Sequence, residues 1–323
     1  MSRKIIVIGG GLSGLAAAWT LERAGADYTL IEVKRALGGS IHTDRRGGFT
    51  SDSSQFILEK FADWPFLPAL GMDEADALAP MGRYRDGALV AFTHGTGALI
   101  DALAARLTRP VMMRMAVSSL GFLSRDETMC GVCLENGVMM EARGVVIAAP
   151  ARYAERMLRS LNAQAAALLE DYQYDPTLRL NLGFRADDVA VSGDANDLPA
   201  PLKFVQVLGH DRLPTRIPDG HVLVRAGMRV ADLADAQAGA AAERLVREKL
   251  GITAEAVYRH VRLWPEGDPL TCYAPEHKAT MAAIDAQLPQ HVRLTGSDYR
   301  ARRLDALFAD AEAQAQAVLA AIS

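Results

Sequence analysis

Apolar positions gather first at residues 4–8, KIIVI, a run short and β-branched enough for a strand buried on both faces. Gly9-Gly10-Gly11 breaks it, residues 12–24 read as a helix, and Gly25 ends that helix. A second apolar run at 28–31 closes on Glu32, so the chain opens as a βαβ unit of about 30 residues. Glycine pairs punctuate the loop from Gly38-Gly39 to Gly47-Gly48, and between 56 and 85 Trp64, Pro65, Pro68, Gly71 and Pro80 predict short helices. Residues 99–107 have the spacing of an amphipathic helix, and from 110 to 149 the period becomes that of strands. There Asn136-Gly137, between GVCLE and VMMEA, predicts a hairpin, and 145–149 a buried strand that Pro150 stops.

Helical spacing returns at 151–173. Strands are predicted at 177–184, 202–208 and 221–228, in one sheet, followed by a helix at 240–250 and a strand at 257–264. Leu304, Leu307, Phe308, Ala311, Ala315, Val318, Leu319 and Ile322 make an apolar stripe down a last helix. There is no internal repeat and no low-complexity linker, and the pattern alone places a boundary near residue 150.

Composition narrows the class. Of 323 residues 50% are hydrophobic and 23% charged, which excludes disorder, collagen and coiled coil and leaves room for about two domains. Lys plus Arg at 35 against Asp plus Glu at 39 gives no field for steering toward nucleic acid or anionic lipid, so a small-molecule partner is expected. Cys130, Cys133 and Cys272 are too sparse for a disulfide scaffold and fit a reducing compartment, the cytoplasm by default. Cys130 and Cys133, three apart on a strand, should point to opposite faces, and no second pair completes a metal site. No run of about 18 apolar residues predicts a transmembrane helix. The N-terminal run has a basic start but is broken by glycines and continues into Glu22 and Arg23, so a strand and helix explain it better than a signal peptide. A homodimer is left open.

Gly9-Gly10-Gly11-Leu12-Ser13-Gly14 satisfies G-x-G-x-x-G in the context that gives the motif meaning: a strand before it, a helix after it, and an acidic residue about 20 positions on. Gly9 allows the tight turn, Gly11 the approach of a pyrophosphate, and Gly14 close packing of helix on strand. The helix N-terminus offers N–H groups to phosphate, and Glu32 can accept both ribose hydroxyls, which disfavours a 2′-phosphate. Motif and spacing do not separate FAD from NAD.

The segment VIGGGLSGLAAAWTLERAGADYTLIEVKRALGGSIHT, with Gly38-Gly39 and Thr43 after the acidic residue, resembles the opening of the flavin-containing amine oxidase and protoporphyrinogen oxidase superfamily. FTHGTGALIDALAARL, GVCLENGVMMEARGVVIAAPARYAERML and LTGSDY before a long helix extend the resemblance down the chain. It implies an α/β fold: a discontinuous Rossmann-like FAD-binding domain (1–55, 95–155 and 276–323) with an inserted α+β substrate domain (56–94 and 156–275). Carried over by position, Gly9, Gly11, Leu12, Ser13, Gly14 and Glu32 hold the ADP half of FAD. Gly38, Gly39, Ser40 and Thr43 line the pyrophosphate and isoalloxazine side, Val117 meets the adenine, and Gly296, Ser297 and Asp298 lie at the ribityl chain. The chain departs from the pattern at Ser40, where the family has Arg or Lys, so that Arg45 or Arg46 would serve the diphosphate. It departs again at Asp52-Ser53-Ser54-Gln55-Phe56 and at Arg300-Ala301-Arg302-Arg303.

A flavin performs the redox step itself, so few side chains are obligatory and the absence of hydrolytic motifs argues nothing. By the resemblance Arg179 stands where a flavin-facing lysine is common, although alternation with Leu178 and Leu180 also fits a solvent face. His277, after Tyr273-Ala-Pro, is the other catalytic candidate, and His42 lies in the flavin loop. No aromatic cage for an amine is evident. Arg300, Arg302 and Arg303 would grip carboxylates such as porphyrin propionates, or simply solvate a helix start. The first reading is therefore an FAD-dependent oxidase or dehydrogenase taking hydride from an apolar or tetrapyrrole-like substrate. The alternatives are a renalase-like oxidase of reduced nicotinamides and a catalytically silent flavin-binding regulatory protein.

Overall fold

Ile5–Ile8 lies at the centre of a parallel sheet because all four of its side chains are apolar and buried, which only a strand covered on both faces tolerates. Its neighbours are Gly144–Ile147 on one side and Tyr28–Glu32 on the other, with Val292–Leu294 and Val111–Met113 outermost. The computed structural model describes residues 4–54, 56–191, 193–194 (backbone only), 196–231 and 236–323. The helix Leu12–Arg23 is buried along Leu12–Leu21 and stops before Gly25, whose φ of +67° other residues adopt at a cost. It packs on the last helix, Leu304–Ile322, where Trp19 meets Phe308 edge-on at 5.9 Å. The predicted stripe is the buried face of that last helix, except that Leu319 is only half buried.

The described residues fall into two compact units, those within 4–39, 100–173 and 269–323, and those within 40–99 and 174–268. The first holds the parallel sheet and a three-stranded sheet, Met139–Ala142, Cys130–Leu134 and Val117–Phe122, whose hairpin turns at Gly137 as expected. Cys130 is buried there and Cys133 half exposed, both free. Burial pushes the Cys130 thiol up to about 12.

The second unit is built on a sheet ordered Gly193–Asp194, Leu202–Gly209, His221–Arg229, Tyr174–Arg185, Tyr258–Pro269, which contains the three strands predicted to share one sheet. One face buries Leu178, Leu180, Leu182, Phe184, Val224 and Met228 under the helix Ala238–Leu250. Residues 40–54 belong to this unit because their hairpin, Thr43–Arg46 with Phe49–Asp52, bonds to Thr96, Gly97 and Arg216.

One expectation is completed and one corrected. Between 56 and 92 the chain forms a three-stranded sheet, Leu58–Lys60, Gly87–Phe92 and Leu78–Tyr84, with only single-turn helices at Phe66–Ala69 and Glu74–Ala77. Its hairpin turns through Arg85 at φ 53°. The helical stretch 151–173 is two helices, Ala151–Leu158 and Ala163–Ala167, because the Asn162 side chain accepts from Ala165 N and caps the second. Among the described residues no helix is long and apolar enough to cross a membrane.

Candidate functional site

The turn after the first strand is shaped by what its glycines exclude. A Cβ at Gly14 would lie 1.8 Å from the Gly9 carbonyl oxygen, and one at Gly9, whose φ is +105°, would lie 2.5 Å from Ala148 O. Backbone therefore meets backbone. Gly38 N donates to Gly10 O at 2.7 Å, and Gly11 bridges to Gly38. Leu12 and Ser13, both buried, open the helix; no side chain caps it and no acidic residue stands in its first turn. Such an N-terminus keeps N–H groups and partial positive charge for an anion.

Glu32, 4% exposed, accepts from Gly10 N at 2.6 Å through one oxygen and from Lys34 N at 2.7 Å through the other. Each oxygen retains a second lone pair, the arrangement that two vicinal hydroxyls require. Met115 N donates to Glu32 O at 3.0 Å, and Val117, half buried, pairs with Leu134 just beyond. The residues present thus fit an adenine dinucleotide such as FAD.

Gly296, at φ +136°, opens a segment anchored on all sides. Asp298 is buried and accepts from Ala151 N at 2.8 Å and from the Ser297 hydroxyl at 3.2 Å, while its carbonyl accepts from Tyr172 OH at 2.8 Å. Tyr299 OH donates to Ala149 O at 2.6 Å, and burial, then the charge of Asp298, raise that hydroxyl well above its ordinary pKa. His277, 8% exposed, donates from Nε2 to Tyr299 O at 2.5 Å. The arginines that follow are engaged locally: Arg300 with Leu294 O and Asp285, Arg302 stacked 3.4 Å from the Tyr273 ring, and Arg303 with Asp305. The sequence-level assignment of this trio to substrate carboxylates has no support in those partners.

In the second unit Asp52 is the hub. It accepts from Thr43 Oγ1, from Thr96 N and Oγ1, and from Arg216 Nη2 at 2.9 Å; Gly97 N donates to Thr43 Oγ1 at 2.8 Å. Arg216 is wholly buried, and its other N–H groups reach the carbonyls of Thr50 and Phe92. Ser40 is exposed and accepts from the Ser54 hydroxyl. Arg45 holds the His94 carbonyl and Arg46 pairs with Asp44, while His42 lies 5.8 Å from His260. Gln55, which drew notice in the sequence, lies outside the described residues.

The sheet face opposite the apolar one carries Arg179 and Asn181 on one strand, Arg225 on the next, and Phe204 and Gln206 on the third. Arg179 sits 5.1 Å from the Phe204 ring and 3.6 Å from Asp268. Arg225 stacks 3.9 Å from the Phe56 ring, and Arg216 lies 3.8 Å from the same ring. Burial, then the charges of Arg216 and Arg179, take the Arg225 guanidinium down to about 9, with Asp52 pulling the other way. It is still cationic at neutral pH. Neither Arg216 nor Arg225 stood out in the sequence; the available signal was one arginine inside the apolar run HVLVRAGM.

Residues 7–64 match the family model described as NAD(P)-binding Rossmann-like domain, and residues 55–279 match that described as flavin containing amine oxidoreductase. The chain is 35% identical over 83 residues to coproporphyrinogen III oxidase of Propionibacterium freudenreichii, an alignment covering 25% of this chain and 16% of that protein. It is also 35% identical over 71 residues to polyamine oxidase 2 of Arabidopsis thaliana, covering 22% and 14%. The alignments thus span well under a fifth of those relatives. A solved structure assigned as a protoporphyrinogen oxidase from Exiguobacterium sp. 255-15 has the same fold, with a TM-score of 0.76 at 15% identity over 98% of this chain and 99% of that one.

Proposed function

Because this chain belongs to the flavin containing amine oxidoreductase family, we propose that it is an FAD-dependent oxidoreductase that takes hydride from an apolar or tetrapyrrole-like substrate rather than from a cationic amine. The carrying observation is the charge on the second unit's polar sheet face. Arg179 and Arg225 stand there, while Asp52 is engaged by Arg216 and Asp268 by Lys203 and Arg179. An ammonium about 6 Å from one such guanidinium meets about 3 kcal/mol of repulsion at an effective dielectric of about 20. The first relative named is a porphyrinogen oxidase, which agrees with a neutral or anionic substrate.

Bound FAD supplies the redox chemistry, as acceptor of the hydride. Gly9, Gly11, Leu12, Ser13 and Gly14 are assigned its pyrophosphate, Glu32 its ribose and Val117 its adenine. Gly38, Gly39, Ser40 and Thr43 are assigned the pyrophosphate and isoalloxazine side, and Gly296, Ser297 and Asp298 the ribityl chain. Arg179 orients the substrate. His277 is assigned a positioning part, since its Nε2 is spent on the Tyr299 carbonyl and the ring is buried. The test is anaerobic reduction followed by the visible flavin absorbance. A porphyrinogen should bleach it and putrescine or spermidine should not; bleaching by the polyamines or by reduced nicotinamides alone would overturn the reading.

A further inference from the structure

The hairpin Thr43–Arg46 with Phe49–Asp52 and the strand Tyr258–Pro269 bring four polar side chains together within the second unit. Asp44 and Ser51 are registered partners in the hairpin, so they share a face. Tyr258 and His260 stand two apart on their strand and share one too. Val261 and Leu263 pack into the apolar core, which puts His260 and Trp264 on the opposite face, the one that carries Arg179, Asn181 and Arg225. Two bonds agree with that placement, since Asn181 and Trp264 donate to the successive carbonyls of Asp52 and Ser53.

The four groups make a chain of three contacts: His260 Nδ1 to Ser51 Oγ at 3.3 Å, Ser51 Oγ to Tyr258 OH at 2.7 Å, and Tyr258 OH to Asp44 Oδ2 at 2.8 Å. Each contact needs one proton, and counting protons fixes the order. Asp44 is a carboxylate and only accepts: burial raises its pKa, but the bonds from Arg46 and Tyr258 outweigh burial and hold it below its ordinary value. Tyr258 therefore spends its proton on Asp44 and accepts from Ser51. Ser51, its own proton spent on Tyr258, accepts from His260. Two hydroxyl protons cannot serve three contacts, so the third comes from Nδ1. His260 is thus the Nδ1–H tautomer, and its Nε2 carries the lone pair.

That Nε2 has no hydrogen-bond partner among the described residues and is not sealed from solvent, unlike Nδ1 of His42, whose ring lies 5.8 Å away. Burial lowers the His260 pKa below its ordinary value, with Asp44 pulling the other way and the charges of His42, Arg46 and Arg262 adding to burial. The ring is neutral at neutral pH. It is a base whose tautomer is set from behind and whose lone pair is open.

We propose that His260 is a catalytic base of this protein, taking onto Nε2 the proton that a tetrapyrrole-like substrate must lose together with its hydride. The proposal rests on the reading above that the protein oxidises such a substrate, and it deepens that reading by assigning the proton. Loss of hydride from a bridging carbon to the flavin leaves a cation conjugated with a pyrrole N–H. That N–H bond then breaks, its electron pair joining the new C=N bond and its proton passing to Nε2, so hydride and proton account for both hydrogens removed. Ser51, Tyr258 and Asp44 are positioning residues. Through them the Asp44 charge steadies the imidazolium that forms, and the open side of the ring releases the proton to water.

Nitrogen NMR of flavin-loaded protein carrying isotope-labelled histidine reports the tautomer without turnover. His260, assigned by the signals that His260→Gln removes, should show a protonated Nδ1 and an unprotonated Nε2, and Ser51→Ala should shift it toward the Nε2–H form. An Nε2–H ring in the wild type would overturn the proposal. Anaerobic bleaching of the flavin by a porphyrinogen tests the role. The wild-type rate should fall as the pH drops through the His260 pKa measured in the same spectra, because a protonated ring cannot accept. His260→Gln should slow bleaching about 100-fold and remove that pH dependence. Ser51→Ala should slow it severalfold and move the midpoint to lower pH, since the imidazolium loses its link to Asp44. If His260→Gln takes up no flavin, Ser51→Ala decides, and an unmoved midpoint there counts against the base. A wild type that no porphyrinogen bleaches defeats the substrate reading and the proton assignment with it, whereas wild-type bleaching rates in His260→Gln defeat the base alone.

Discussion

Glu32 is oriented before any ligand arrives, because Gly10 N and Lys34 N each hold one of its oxygens. A ribose assigned to it gains two charge-assisted hydrogen bonds without ordering a side chain. Glu32→Gln should therefore weaken FAD binding by roughly 10- to 100-fold, the effect of losing about 1.5–3 kcal/mol of such bonding. Flavin fluorescence titration of the apoprotein measures this, and an unchanged dissociation constant would remove Glu32 from the cradle. Glu32 was legible in the sequence because strand length and the glycine turn both count toward it. Arg216 and Arg225 were not, since an arginine in a loop or strand ordinarily points to water and only tertiary pairing reveals otherwise. Breaking one partner of a buried pair such as Arg216 and Asp52 costs about 3–5 kcal/mol, so those positions are framework as much as site.

Between elements, the clearest electrostatic contact is at the end of the first helix. Glu22 accepts from Thr108 N at 3.0 Å, Thr108 Oγ1 at 2.5 Å and Tyr28 OH at 2.7 Å. Burial alone would raise its carboxyl, but these bonds and the Arg109 N–H outweigh it and take the pKa down to about 2 from 4.5. The folded state thus binds this proton more weakly than the unfolded chain. The stabilisation is whole above pH 4.5 and is lost as the pH falls toward 2. Thermal melts of the wild type should lose stability relative to Glu22→Gln across that window and regain no ground above it; parallel melting curves for the two proteins would contradict the contact. The elements themselves were legible where period and punctuation agreed, as in the opening strand, helix and strand. At 56–85 the short helices were legible but the strands around them were not, because prolines and glycines mark strand ends as well as helix ends and a hairpin turns on Arg85 instead of a glycine. The break at Asn162 was hidden because the alanines after it continue the helical spacing.

At the scale of the molecule, three stretches of chain build the unit with the parallel sheet and two build the other, so the chain passes between them at 39–40, 99–100, 173–174 and 268–269. No composition shift marks those passages, which is why the pattern alone offered a single boundary near 150. The family resemblance, carried by motifs scattered from Gly9 to Asp298, was needed to expect a discontinuous arrangement. What the glycine turn and Glu32 hold decides whether this chain is a flavoprotein. The most direct test is the visible spectrum of the purified protein, with the cofactor released by denaturation and identified by chromatography. An oxidised flavin spectrum and FAD in near-stoichiometric amount are expected. A colourless protein that takes up no added FAD would contradict this.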